Sequence, residues 1–193
     1  MNRICVDIDG VLANWAKAFR ELLVEQGADI KPFDELGPMT WRWPKVMGAT
    51  SKQVSAAWEH ITLNPDWWTH IERHKEFTYT ARAVLVELMK AHDVVFVTNR
   101  RNGWRQTAGW LKFYAGGMPQ VISTKTKTLA FAALRPVAII DDKLDILQEY
   151  RKYALVNYSE EIDLILPHRE YNKGDREGLI VVGNTEEALR RCL

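Results

Sequence analysis

Three short runs of apolar, mostly β-branched residues constrain the fold of this 193-residue chain more than any other feature. The runs span residues 4–6, 94–97 and 137–140, and polar side chains follow each of them directly. None alternates between apolar and polar residues, which is typical of strands covered on both faces of a parallel sheet. Amphipathic helical patterns separate the runs, and a fourth run spans residues 179–182. The sequence therefore predicts an α/β fold with a doubly wound parallel sheet.

The stretch 26–74 interrupts this alternation. It holds four of the seven prolines and five of the eight tryptophans, and it has no run of strand type. One helix is predicted inside it, because Thr50 followed three residues later by Gln53 is a capping sequence. We expect a small helical insertion at residues 15–74, after the first strand, and a core formed by residues 1–14 and 75–193.

Charge and cysteine content narrow the class of protein. With 26 basic and 25 acidic residues, the net charge of +1 gives no reason to expect binding to nucleic acid or to an anionic membrane. The two cysteines lie near opposite ends of the sequence, which favours a reducing compartment over a disulfide framework. No apolar run approaches the ~20 residues that span a bilayer. We expect a cytoplasmic protein.

Polar side chains that could carry chemistry follow the three runs. They are Asp7 and Asp9 after the first, Thr98, Asn99 and Arg100 after the second, and Asp141 and Asp142 after the third. Ligands of open parallel sheets bind beyond the carboxyl ends of the strands, so we expect these side chains to converge. Adjacent carboxylates repel unless a cation lies between them, and a hard ion with oxygen ligands such as Mg²⁺ fits best.

Each of these features also has a purely structural alternative. Asp9 with Gly10 could form a hairpin turn, although the following residues read as helix. One aspartate of the 141–142 pair could cap the helix that follows the pair. Thr98 or Asn99 could likewise cap the helix that follows them. The arginines at 100, 101 and 105 could bind phosphate or face water.

Taken in order, the motifs resemble those of the haloacid dehalogenase-like phosphohydrolases. The matching residues are Asp7 and Asp9 in Asp-x-Asp, then Thr98, Lys127 and the pair Asp141 and Asp142. Segments 7–15, 64–68, 123–128 and 140–143 further resemble the cytosolic type C branch, the 5'(3')-deoxyribonucleotidases. The resemblance implies a Rossmann-like core with residues 15–74 as a small helical cap. It also implies a Mg²⁺-dependent phosphatase acting on a small phosphomonoester, a nucleoside monophosphate. It leaves a homodimer open.

The same resemblance implies a role for each matching residue. Asp7 attacks phosphorus and forms an aspartyl-phosphate, while Asp9 protonates the leaving group and later activates water. Mg²⁺ is held by the Asp7 carboxylate, the Asp9 backbone carbonyl and the 141–142 pair, with Asp142 favoured over Asp141 as the direct ligand. Thr98 and Lys127 bind the other phosphate oxygens.

The substrate contacts follow from the resemblance and from aromatic chemistry. Trp15, Trp41 and Trp43 are candidates to stack on a base, and Asn99 and Arg100 are candidates to bind the substrate. We expect Trp58, Trp67 and Trp68 to fill the core of the cap. Two other functions remain open: a phosphatase for polynucleotide ends or small metabolites, and a non-catalytic binding module with the same fold.

Overall fold

A computed structural model describes residues 1–32, 38, 40, 42–100, 102–158 and 161–193. Within them lies a six-stranded sheet in which every pair of neighbours is parallel, in the order β3-β2-β1-β4-β5-β6. The strands are β1 (Arg3–Val6), β2 (Asp93–Thr98), β3 (Gln120–Ser123), β4 (Ala138–Ile140), β5 (Asp163–Pro167) and β6 (Ile180–Val182). This confirms the predicted α/β class and its parallel sheet.

Helices cover both faces of the sheet, as a doubly wound fold requires. The core helices are α4 (Tyr79–Ala91), α5 (Trp104–Tyr114), α6 (Lys127–Leu134), α7 (Leu144–Asn157) and α8 (Thr185–Arg190). Alternate residues of β1 enter different apolar clusters: Ile4 and Val6 pack on the side of α4, α5 and α8, and Cys5 packs on the side of α6 and α7. The central strands are apolar without alternation because both of their faces are buried.

Two strands were not predicted. β3 lies at the edge of the sheet and is half exposed, so its polar ends Gln120 and Ser123 leave no apolar run to detect. β5 carries only three apolar residues before Pro167, which it tolerates because the proline is its last residue. The predicted run at 179–182 corresponds to β6.

Within residues 15–74, the part of the chain that the structure describes contains helices and no strand. The helices are α1 (Trp15–Glu25), α2 (Trp43–Val46), α3 (Ser51–Leu63) and a 3-10 helix (Pro65–Thr69). Thr50 caps α3 as predicted, with a reciprocal bond to Gln53. The chain leaves and rejoins the core at adjacent points, because Asn14 N donates to Glu72 O at 2.8 Å and His74 N donates to Leu12 O at 2.6 Å.

Among the described residues, no helix combines the length and the apolarity that crossing a bilayer requires.

Candidate active site

The carboxyl ends of β1 and β4 bring three acidic side chains to one point. β1 and β4 pair directly, and Asp7 N donates to Ile140 O at 2.8 Å, so Asp7 lies beside the residues that follow β4. Asp7, Asp141 and Asp142 are all buried, and each offers an oxygen within 4.8 Å of the other two. The predicted convergence of these strand ends is therefore present.

Lys127 joins this cluster from the first turn of α6. Its Nζ lies 2.7 Å from Asp7 Oδ2 and 2.7 Å from Asp141 Oδ2, and the side chain is buried. Lys125, two residues earlier, is exposed. Of these two lysines, the structure thus brings Lys127 to the carboxylates, as its position in the motif predicts.

The electrostatics of the cluster are unbalanced. Burial raises the pKa of Asp7, with Lys127 opposing and Asp141 adding to the shift. Burial, and then the charges of Asp7 and Asp141, raise the pKa of Asp142 well above its usual range. Burial alone would lower the pKa of Lys127, but Asp141 and Asp7 outweigh it and raise that pKa. The Lys127 ammonium balances one of the three carboxylate charges by direct contact, and a divalent cation would balance the other two.

The hydrogen bonds show which oxygens are available to such a cation. Asp7 and Asp141 are each engaged on both oxygens. Asp7 Oδ1 accepts from Ile8 N at 2.7 Å, and Oδ2 lies 2.7 Å from Lys127 Nζ. Asp141 Oδ1 accepts from Lys143 N at 2.9 Å, and Oδ2 accepts from Lys127. Asp142 Oδ2 accepts from the hydroxyl of Tyr171, but Asp142 Oδ1 is buried with no hydrogen-bond partner among the described residues. A buried, unpaired carboxylate oxygen is costly, and a metal ion is a common reason for one. The donor set therefore fits Mg²⁺.

Gly10 lies in the turn that follows Asp9, and the site depends on its lack of a side chain. Its φ is +87°, a conformation that side chains other than hydrogen rarely adopt. A Cβ at this position would also overlap Asp142 Oδ2 and Tyr171 Oη. This turn is thus also a point of close approach between the loop after β1 and the loop after β4.

Asp9 lies apart from the three-carboxylate cluster and pairs with Arg100. Arg100 Nε donates to both oxygens of Asp9, at 3.1 and 3.0 Å, and Nη2 donates to Oδ1 at 2.7 Å. Arg100 is 1% exposed, and its guanidinium lies 4.8 Å from the ring of Trp68 and 5.6 Å from that of Trp110. Arg100, which was predicted to contact the substrate, is thus buried and pairs with Asp9, the residue predicted to act as acid and base.

Thr98 and Asn99 lie at the end of β2 with different exposure. Thr98 is buried, and its Oγ1 accepts from Arg100 N at 3.3 Å. Asn99 is exposed and lines a cavity of about 370 Å³. The other lining residues are Trp58, Ile61, Thr62 and Trp68. Because Trp68 also contacts Arg100, this cavity adjoins the Asp9 side of the cluster.

Two tryptophans, Trp43 and Trp58, differ from the prediction. Trp43 is 1% exposed and packs edge-on against Phe19, so its ring is covered and the predicted stacking of a base on Trp43 disagrees with the structure. Trp15 is half-buried and stacks on Phe19 and Trp58. Trp58 is 43% exposed rather than in the core, because it lines the cavity. Trp41 and Arg101 lie outside the described residues.

Three residues after β5 reach the site and were not predicted. Arg169 donates to Gly10 O, Tyr171 donates to Asp142 Oδ2, and Asn172 donates to Asp142 O. The signal that would have found them is the one used for the other strands, namely the polar residues that directly follow a strand end. It was missed because β5 itself was missed.

No protein-family model matches the sequence, and no curated protein matches it. Solved structures do match. A predicted phosphatase from Clostridium acetobutylicum has a TM-score of 0.60 at 12% identity, over 98% of this chain and 97% of its own. A proposed beta-phosphoglucomutase from Thermotoga maritima has a TM-score of 0.54 at 15% identity, over 99% and 98%.

A third structure is described as a haloacid dehalogenase-like family hydrolase, from Xanthomonas campestris. Its TM-score is 0.50 at 13% identity, over 100% of this chain and 96% of its own. Identities this low carry information on the fold and not on the reaction. The chain has the Rossmann-like α/β fold that these haloacid dehalogenase-like and phosphatase structures share.

Proposed function

We propose that this chain is a Mg²⁺-dependent phosphatase of the haloacid dehalogenase type. The observation that carries the proposal is the buried cluster of Asp7, Asp141 and Asp142 around Lys127, with Asp142 Oδ1 unpaired. Asp7, Asp142 and the backbone carbonyl of Asp9 would hold the ion. When bound, Mg²⁺ would neutralise phosphoryl charge and orient the phosphate.

Asp7 is the proposed nucleophile. A carboxylate oxygen of Asp7 forms a bond to phosphorus while the bond from phosphorus to the ester oxygen breaks. The product is an aspartyl-phosphate on Asp7 and a leaving alkoxide. Lys127 Nζ, 2.7 Å from Asp7 Oδ2, lowers the repulsion between this carboxylate and the incoming phosphate dianion. Thr98, at the end of the neighbouring strand, is the residue that we propose binds another phosphate oxygen.

Asp9 is the proposed acid and base. It gives a proton to the leaving alkoxide, and then takes one from the water that attacks the aspartyl-phosphate, which releases phosphate and restores Asp7. The ion pair with Arg100 belongs to the carboxylate form, which is the form that accepts the proton from water.

The proposed substrate is a nucleoside monophosphate, as for a 5'(3')-deoxyribonucleotidase. The cavity between residues 58–68 and Asn99 has aromatic and apolar walls, a size in the range of small-ligand sites, and a position on the Asp9 side, where the leaving group would lie. We propose that residues 15–74 act as a cap over this cavity. Trp58 offers an exposed ring, and Trp15 stacks behind it.

A substrate panel tests this function. Phosphate release is measured with and without Mg²⁺ from nucleoside monophosphates, a small sugar phosphate, a 3'-phosphorylated oligonucleotide and p-nitrophenyl phosphate. We expect Mg²⁺-dependent turnover that is fastest for the mononucleotides. The control pair is Asp7→Asn, whose amide does not attack phosphorus, and Asp29→Asn, which changes an exposed carboxylate.

The outcomes separate the alternatives. Preference for the oligonucleotide or the sugar phosphate would keep the phosphatase chemistry and refute the nucleotide assignment. Absence of turnover with every divalent ion would favour a binding module. Turnover of Asp7→Asn near the parent level would exclude Asp7 as the nucleophile.

A further inference from the structure

The segment that follows β5, residues 168–172, contacts both loops of the site and has no part in the reaction proposed above. On the β4 side, the hydroxyl of Tyr171 donates to Asp142 Oδ2. Asn172 Nδ2 donates to the backbone oxygen of Asp142 at 3.0 Å and to that of Pro167 at 2.8 Å. The side chain and the backbone of Asp142 are therefore both held by this segment.

On the β1 side, the same segment holds the loop that carries Gly10. Arg169 Nε and Nη2 both donate to Gly10 O, at 3.0 and 2.9 Å. The guanidinium is buried, and its Nη1 lies 2.7 Å from Glu76 Oε2. A buried arginine with this many partners has one orientation available, so it fixes the Gly10 carbonyl relative to the core.

These contacts leave Asp142 with one free oxygen in one orientation. Oδ2 is fixed by the Tyr171 hydroxyl and packs where a Cβ of residue 10 would be, while Oδ1 is buried and has no partner among the described residues. Rotation of the carboxylate would break the bond to Tyr171. The arrangement is the one expected when a partner of a metal ligand orients that ligand.

We propose that residues 169–172 position the cation site, and that Tyr171 is a positioning residue that presents Asp142 Oδ1 to the ion. This inference rests on the proposed function for the identity of the ion, and concerns residues to which that function assigns no role. A merely structural role for Tyr171 predicts a different result: loss of its hydroxyl would lower stability and leave cation affinity unchanged.

Direct binding of Mn²⁺ to the full chain, without substrate, separates the two roles. Electron paramagnetic resonance gives the Kd of the parent, of Tyr171→Phe and of two reference variants. Asp142→Asn removes the ligand itself. Tyr150→Phe is the matched control, because Tyr150 is also buried and its hydroxyl reaches Phe131 O at 3.5 Å on the α7 side of the sheet.

We expect Tyr171→Phe to weaken Mn²⁺ binding by about 10- to 100-fold, the usual effect of removing a partner of a metal ligand. Tyr150→Phe should bind as the parent does. A Kd of Tyr171→Phe within about twofold of the parent value would overturn the proposal, because a loss of about 10-fold is the smallest expected.

A second variant covers the case in which Tyr171→Phe does not fold. Arg169→Lys keeps the charge beside Glu76 but cannot make both bonds to Gly10 O, and we expect it to weaken Mn²⁺ binding too. Parent-like binding by Arg169→Lys would then overturn the proposal.

Failure of this proposal can be told from failure of the proposed function. A parent that hydrolyses no phosphomonoester, but binds a Mn²⁺ ion that is lost in Asp142→Asn and weakened in Tyr171→Phe, refutes the function and supports this inference. If the parent hydrolyses phosphomonoesters and Tyr171→Phe binds Mn²⁺ as well as the parent does, the proposed function is supported and this inference is refuted. A parent that binds no Mn²⁺ overturns the inference.

Discussion

Replacing Asp142 with asparagine is expected to stabilise the protein when divalent cations are absent. The carboxylate is completely buried beside Asp7 and Asp141, and each offers an oxygen within 4.8 Å of the others. Two unit charges at that distance repel by about 3 kcal/mol at an effective dielectric constant of about 20. Asp142 has two such neighbours, and Lys127, which contacts both, cancels part of the repulsion. The neutral amide should therefore raise the free energy of unfolding by about 1–3 kcal/mol.

Urea unfolding measures this effect directly. Parent and Asp142→Asn are compared in EDTA and then at saturating Mg²⁺, with Asp29→Asn as a control for an exposed carboxylate. In EDTA the midpoint of Asp142→Asn should exceed that of the parent at an equal slope. In Mg²⁺ the parent should gain about 2.7 kcal/mol when the ion is at about 100 times its Kd, while the variant gains much less. A variant that is less stable than the parent in EDTA and gains equally from Mg²⁺ would refute the argument.

Three further changes test other parts of the site. Arg100→Met should lower kcat by about 10- to 100-fold for both a nucleoside monophosphate and p-nitrophenyl phosphate, because both share the step in which the Asp9 carboxylate takes a proton from water. A kcat near the parent value for both substrates would show that Arg100 does not act through Asp9. Gly10→Ala should lower the free energy of unfolding by at least about 1–2 kcal/mol, because φ is +87° and the new Cβ would overlap Asp142 Oδ2. Urea unfolding like that of the parent would contradict the close approach of residue 10 to Asp142. Burial, then Arg169 and Lys75, lower the pKa of His74 from 6.5 to about 3, so stability falls as pH drops below the unfolded value. Between about pH 7.5 and about pH 5, the free energy of unfolding of the parent should fall by about 2 kcal/mol more than that of His74→Gln. An identical pH dependence of unfolding in the two proteins would exclude this role of His74.

The central strands could be predicted from the sequence because both of their faces are buried. β1, β2 and β4 appear as unbroken apolar runs, and the polar residues that follow them form the site. β3 gives no such signal, since an edge strand tolerates polar residues at both ends. The apolar part of β5 before Pro167 is too short to be recognised as a strand. Because β5 was not predicted, Arg169 and Tyr171, which follow it, were not predicted as site residues either. Polar residues that directly follow β1, β2, β4 and β5 reach the site, and the prediction failed only where the strand itself was not recognised.

Side-chain pairing was less predictable than placement. Arg100 lies next to Thr98 in sequence, so its position near the site was expected, but its pairing with Asp9 depends on residues 91 positions apart. Whether each tryptophan side chain is buried or exposed likewise depends on how the helices pack against each other, and no local sequence pattern predicts that packing. Trp43 turns inward against Phe19, while Trp58 on the next helix faces the cavity.

The position of β1 in the middle of the sheet affects how the chain can be assembled during synthesis. Arg3 of β1 pairs with Asp93, and Ile4 pairs with Ala138, so the strand made first has partners that are made much later. Its apolar residues stay uncovered on the ribosome until β4 emerges, and pairing across such separations is slow and prone to aggregation. A nascent chain that stops before residue 138 would lack one side of its central strand, which makes chaperone protection during translation most valuable before that point.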